Sequence, residues 1–255
     1  MSALLLAAEP TNFWEWLHES STRTITGPIP HNLWLTLWHA LAAGAIAVVL
    51  TVPVAVFLAH HRKAELAASW IVNLGRIIPT VTILAFAVVI SLRNGLGFAP
   101  YPILFALTLL AIPPIFANTY TAVRQASPDA VSSARAMGLT ERQIMTGVEL
   151  PLALPLILTG VRTALTQLVA TEALGALFGG GGLGIYVRFG FAGDDIYQIQ
   201  AGALLVAAAA MGTDLVLAVV ARLVVPKGVR ARPGRRRAAT VTVRAPDVAS
   251  AAGAG

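Results

Sequence analysis

The chain has 255 residues, of which 56% are hydrophobic and only 12% charged, about half the charged share of a soluble globular domain. With a mean hydropathy of +0.74, neither a water-soluble core nor a disordered chain fits, since disorder needs low hydrophobicity and high charge. There is no cysteine, which excludes disulfides, thiolate catalysis and Cys-based metal sites, and the net charge of +6 is distributed as membrane topology demands.

The opening, Met1–Thr11, has no basic residue ahead of the short apolar run Ala3–Ala8. A cleavable leader carries a positive start and a longer apolar core, so residues 1–32 read as a retained extracytoplasmic segment. A bilayer core about 30 Å thick needs about 20 mostly apolar helical residues. Five stretches meet that need: Leu33–Ala59, Leu66–Leu92, Ala99–Val123, Leu150–Phe178 and Gln200–Val225. The pattern predicts an all-α integral membrane protein with about five transmembrane helices spread over residues 33–225. Lys and Arg collect on the cytoplasmic side of such proteins. Arg62, Lys63, Arg124, Arg135, Arg142 and the tail cations from Arg222 to Arg244 share one side, against Arg23, Arg93 and Arg188 on the other. The N-terminus is therefore expected outside and the C-terminus inside. Residues 226–255 become a basic cytoplasmic tail without regular structure, facing anionic lipid rather than nucleic acid.

Between the third and fourth spans, residues 124–150 are too polar for lipid and too patterned for a linker. Ser127-Pro128-Asp129 supplies a hydroxyl N-cap, a proline at the first helical position and an acid at the positive dipole end. The helix it starts, Asp129–Met137, should stop at Gly138 in a left-handed cap. Thr140-Glu141-Arg142-Gln143 fits a capping box, and Pro151 sits where the fourth span begins. The loop is predicted to be helix, sharp glycine turn, helix. Such an element suits rigid docking by a cytosolic partner, or serves topology alone.

Ionisable groups inside lipid cost a few kcal/mol on insertion scales and face the interior or pair up. Arg76, Arg162, Glu172 and Asp214 fall inside predicted spans. They line a polar path, or they pair between helices, for instance Arg76 with Asp214 or Glu172. Arg162 and Glu172, about 15 Å apart along one helix, cannot pair with each other. Glu172 would suit a cationic headgroup. Aromatic faces bind quaternary ammonium groups, and Trp34, Trp38, Trp70, Phe86, Tyr101 and Tyr120 are available, although Trp34, Trp70 and Tyr101 sit where interfacial belts are expected. Pro79 and Pro113-Pro114 interrupt the second and third spans, freeing carbonyls for a cavity or kinking the helix. Gly179–Gly182 lacks the Gly-Lys-Ser/Thr of a phosphate loop and reads as an outer turn or gate. His60 and His61 have no partner at ligand spacing, so no metal site is expected.

Ser132-Ser133-Ala134-Arg135-Ala136-Met137-Gly138, nine residues, then Val148-Glu149-Leu150-Pro151, resembles the cytoplasmic loop of ABC-importer permeases. That family's pattern is Glu-Ala-Ala, three residues, Gly, nine residues, Ile-x-Leu-Pro. Ala134, Gly138, Leu150 and Pro151 match, while Ser132 stands in for the Glu and Ser133 for the first Ala. Asn73–Thr80, Ile112–Thr121, Gly180–Gly184 and Ala201-Gly202-Ala203 are similar to segments of osmoprotectant permeases of the glycine betaine, choline and carnitine type. The resemblance implies that residues 33–225 form a permease domain whose loop, 124–150, carries a coupling helix at Ala134–Thr140. Ser133, Ala134, Met137, Gly138, Leu139, Thr140, Val148, Leu150 and Pro151 would meet an ATP-hydrolysing subunit. Arg76, Pro79, Thr80, Asn118, Tyr120, Glu172 and Asp214 would serve the translocation path. It also implies an extracytoplasmic substrate-binding protein and a second permease chain, identical or related, in a bacterial inner membrane. ATP and Mg would sit on the partner ATPase, with no cofactor and no catalytic residue on this chain. Rival expectations are the same machine carrying another small solute such as an amino acid, an intramembrane enzyme, and a membrane scaffold without transport.

Overall fold

The computed structural model describes Trp16, residues 26–61 and residues 78–225. Among these residues every regular element is helical: α1 Ile29–His60, α2 Thr80–Arg93, α3 Tyr101–Arg124, α4 Pro128–Ala136, α5 Glu141–Ile144, α6 Leu150–Glu172, α7 Gly184–Gly193 and α8 Ile196–Val224. A π-helical turn, Met145–Glu149, joins α5 to α6, and a 3₁₀ turn, Ala173–Phe178, prolongs α6. Helix α1 starts four residues before the predicted span because Pro28 occupies the N-cap and Pro30 the first turn, positions that need no N–H donor.

Among the described residues, four stretches are long and apolar enough to cross a membrane: α1, α3, the continuous Glu141–Phe178 rod and α8. Of the predicted second span, residues 66–77 lie outside the described residues. Its described remainder, α2, has 14 residues and a length of about 21 Å, too short to cross alone. Pro79 is the N-cap of α2 rather than an interruption within it. Pro113 and Pro114 likewise leave α3 continuous from Tyr101 to Arg124, so the expected break there is absent.

The core is a seam of small residues. Ala40, Ala43, Ala47 and Ala55 of α1 are fully buried, on the face packed against α3 and α6. Lipid tails are as apolar as leucine, so helices associate in a bilayer through close backbone approach and dispersion rather than through the hydrophobic effect. Gly44 and Gly160 permit that approach. A Cβ at Gly44 would lie 2.3 Å from Leu165 Cδ2, and one at Gly160 2.5 Å from the Asn118 Cβ. Helix α8 packs on α6 and α7 and leaves Met211, Leu215, Val216 and Leu223 exposed, as a lipid-facing helix would.

Candidate functional site

The polar loop folds from its own caps. Ser127 Oγ accepts from the Ala130 N–H at 3.4 Å, Pro128 opens α4, and Asp129 lies in its first turn. At the other end Gly138 adopts φ +82°. The Gly138 N–H donates to the Arg135 carbonyl (3.0 Å) and the Leu139 N–H to the Ala134 carbonyl (3.2 Å), the paired bonds of a Schellman stop. Thr140 Oγ1 then accepts from the Gln143 N–H, while Gln143 Oε1 accepts from the Thr140 N–H (2.9 Å). The helix therefore covers Pro128–Ala136 and not Ala134–Thr140: the left-handed residue ends it, and 137–140 form the turn.

The second loop helix does not end before the span either. Pro151 has no N–H to offer the preceding turn. The chain widens instead, the Leu150 N–H reaching back to the Met145 carbonyl across the π turn. The result is one continuous rod from Glu141 to Phe178, in which the loop's second half runs directly into the membrane helix.

Four charged or ionisable side chains tie the loop to the spans. Arg135 donates twice to Glu141, from Nε to Oε1 (2.8 Å) and from Nη2 to Oε2 (2.9 Å). That contact holds the Glu141 carboxyl below the usual carboxylate range, its hydrogen bond with Arg135 outweighing desolvation. His60, the last residue of α1, donates from Nδ1 to Glu149 Oε2 at 2.7 Å, with Nε2 3.4 Å from Glu141 Oε2. Ser132, standing where the family pattern has Glu, donates locally to the Asp129 carbonyl (3.0 Å). It lines a small cavity, about 100 Å³, together with His60, Arg124, Arg135 and Glu149. Among the residues expected to meet an ATPase, Ala134 is buried beneath the turn, Val148, Leu139 and Leu150 are half-buried, and Ser133, Met137, Gly138, Thr140 and Pro151 are exposed. Met137 projects with 73% of its surface free. An exposed, adaptable apolar side chain on a rigid turn is well suited to a partner's cleft.

At the other end of α6, Glu172 is completely buried. Its Oε2 accepts from Thr36 Oγ1 (2.7 Å) and its Oε1 from His39 Nδ1 (2.8 Å). The Leu183 N–H donates to Thr36 Oγ1 at 2.9 Å, so the glycine turn is fastened to α1 and α6 at one point. Gly182, φ +74°, presses its backbone against the carboxylate. Nearby, Asn32 Nδ2 donates to the Thr26 carbonyl (2.7 Å) and to Tyr186 Oη (3.0 Å), and Tyr186 Oη donates to the Gly27 carbonyl (3.0 Å). Tyr186 also meets Trp16 edge-on at 5.5 Å.

Asp214 pairs with Arg162. Arg162 Nε donates to Asp214 Oδ1 at 2.6 Å, Nη2 donates to Oδ2, and Thr166 Oγ1 adds a longer contact of 3.3 Å. Arg76 lies outside the described residues. Asn118 Nδ2 donates to the Pro114 carbonyl (2.8 Å). Tyr120 stacks on Phe116 at 5.9 Å, and the Tyr120 and Thr119 hydroxyls are buried without a partner among the described residues. Pro79 is exposed and Thr80 half-buried at the start of α2. The path residues expected from sequence are thus dispersed: Glu172 at the C-terminal end of α6, Asp214 on α8, Asn118 and Tyr120 on α3. Sequence reasoning missed His39, Thr36, Asn32, His60 and Glu149. A polar or ionisable residue every third or fourth position along α1, Asn32, Thr36 and His39, was the available signal.

The sequence and the helical fold have counterparts among known proteins. A sequence model of the binding-protein-dependent transport system inner membrane component family matches residues 33–229. The glycine betaine/carnitine/choline transport system permease protein OpuCB of Bacillus subtilis is 34% identical over 76% of this chain and 87% of its own length. The choline transport system permease protein OpuBB of the same organism is 35% identical over 82% of this chain and 94% of its own. The osmoprotectant import permease protein OsmW of Salmonella typhimurium is 32% identical over 78% and 91%. A solved structure of the MetNI methionine ABC transporter in an inward-facing conformation superposes with a TM-score of 0.69 at 26% identity, covering 76% of this chain and 95% of that one. This chain belongs to the binding-protein-dependent transport system inner membrane component family, as a multi-pass, non-catalytic membrane subunit.

Proposed function

We propose that this chain is the permease subunit of an ATP-driven importer for small osmoprotectants of the glycine betaine, choline or carnitine type. The observation that carries the coupling half of this reading is the α4–turn–α5 element, tied to α1 through Arg135, Glu141, His60 and Glu149 and continuous with α6. A partner ATPase, holding ATP and Mg, docks on Met137 and its neighbours. When the two ATPases close, each loop moves as a rigid body. Its displacement passes to α1 through His60 and along the 38-residue rod, roughly 55 Å long, to the glycine turn beside Glu172. A second permease chain completes the pathway, and an extracytoplasmic binding protein delivers the solute. The N-terminus lies outside, the C-terminus inside, and residues 226–255 form a basic tail on the cytoplasmic face.

The cargo assignment rests on the relatives named for glycine betaine, carnitine and choline. The methionine transporter that shares the fold favours a second reading, an amino-acid importer on the same scaffold. Competition separates them. In cells dependent on this system, uptake of labelled glycine betaine should be displaced by choline or carnitine and be indifferent to methionine. Displacement by methionine alone would reverse the assignment.

A further inference from the structure

The open faces of α1 and α8 are apolar, with Val49 71% and Leu215 67% exposed. The open face of α6 is different. Thr159, Thr163 and Gln167 lie at i, i+4 and i+8, one stripe along the helix, and all three are exposed. Flanking them, Arg162 and Thr166 are half-buried, and Arg162 is locked to Asp214 of α8. The stripe runs about 12 Å across the middle of Leu150–Glu172, the depth at which a bilayer is driest.

Thr159 satisfies its hydroxyl on the Pro155 carbonyl (2.9 Å). Thr163 and Gln167 make no side-chain hydrogen bond to the described residues, although both are exposed. An unsatisfied amide in hydrocarbon costs several kcal/mol, and intramembrane ionisable groups face a bundle interior or a water-filled cavity. The Arg162–Asp214 pair leaves 38% and 39% of its side chains open, which lipid would not solvate. A face this polar is not a lipid-facing one.

We infer that the central stripe of α6, with the Arg162–Asp214 pair at its edge, lines the aqueous translocation path and takes a small solute carrying both a carboxylate and a cationic group. The charge balance argues for that class. A path for a lone cation would present excess carboxylate and one for an anion excess cation. Here a guanidinium and a carboxylate stand together among uncharged hydroxyl and amide groups. A zwitterion meets each of its charges with an opposite partner by sharing this pair. The solute class rests on the proposed function; the water-lined stripe does not.

The chain contains no cysteine, so single substitutions report without background. In the assembled importer in membrane vesicles, Thr163→Cys and Gln167→Cys are treated with a charged, membrane-impermeant thiosulfonate, beside Val49→Cys as the lipid-facing control. Only a hydrated thiolate reacts, so both stripe positions should label about tenfold faster than Val49→Cys or more, and saturating glycine betaine should slow them. Rates equal to that of Val49→Cys in both variants, with ATP-driven uptake retained, overturn the stripe while leaving the proposed function standing. Fast labelling that glycine betaine leaves untouched, but choline, which lacks a carboxylate, slows, overturns the zwitterion assignment.

Discussion

Gly182→Ala probes the contact that fastens the glycine turn to α1 and α6. A Cβ there would sit 2.7 Å from Glu172 Oε2, 2.7 Å from Thr36 Oγ1 and 2.8 Å from Glu172 Oε1. Its φ of +74° adds roughly 1–2 kcal/mol of left-handed backbone strain for any residue with a Cβ. To make room the carboxylate must leave Thr36 and His39, and hydrogen bonds to a charged group are worth about 1.5–3 kcal/mol each. The total, about 4–8 kcal/mol if both break, approaches the whole stability of many domains. Even the low end should lower the melting temperature of the detergent-solubilised protein by roughly 8–16 °C, at about 2–4 °C per kcal/mol for a chain of this size. Gly212→Ala is the control: it sits inside α8 with nothing within 4 Å of a Cβ, so it should be neutral or slightly stabilising. Glu172→Ala in the Gly182→Ala background removes the two carboxylate contacts and leaves the one with Thr36 Oγ1, so the two changes should cost less together than their sum. A Gly182→Ala protein melting within about 2 °C of the parent would refute the reasoning.

At Gly138 the space around a Cβ is empty, so the cost of a side chain is conformational alone. Gly138→Asn should preserve stimulation of the ATPase by loaded binding protein, because Asn tolerates the left-handed region. Gly138→Val should abolish it while membrane insertion and assembly of the spans persist. Gly160→Ala would bring a methyl against Asn118, and overpacking of this kind costs about 1–3 kcal/mol; melting in detergent measures it. Arg135 lowers the Glu141 pKa, so their pairing contributes above the ordinary carboxylate range and is lost only as pH falls through the depressed value. Hydrogen exchange of residues 135–141 should therefore stay protected from neutral pH down to about pH 4, once corrected for the intrinsic exchange rate. Loss of protection nearer neutrality would contradict the geometry.

The long helices were legible because a run of some twenty apolar residues has few alternatives in a bilayer. Predicted Leu33–Ala59 and Ala99–Val123 correspond to α1 and α3, and Gln200–Val225 to α8, with ends displaced by up to four residues. The caps at Ser127, Gly138 and Thr140 were legible for a local reason: each needs only its own four or five residues. What could not be read was the helix running straight through Pro151. Proline ordinarily signals a boundary, and the π turn that absorbs it leaves no mark in the sequence. The Glu172 site was hidden by distance, since His39 lies 133 positions away, and no spacing rule connects two spans. A survey of Arg, Asp and Glu inside the spans also passes over histidine, which hydropathy alone does not distinguish. Asp214 presented the converse difficulty: its need for a partner was evident, but the choice among Arg76 and other cations depends on how α6 and α8 pack.

The central claim, that a docked ATPase drives solute through this chain, is tested most directly by purifying the protein from its native membranes in mild detergent and identifying what accompanies it. The account predicts an ATP-hydrolysing subunit in stoichiometric amount, a quaternary-amine-binding receptor, and loss of the ATPase alone when Gly138→Val replaces the parent. If neither subunit accompanies the chain under conditions that keep a known importer intact, the coupling loop docks nothing, and a membrane scaffold without transport becomes the better description.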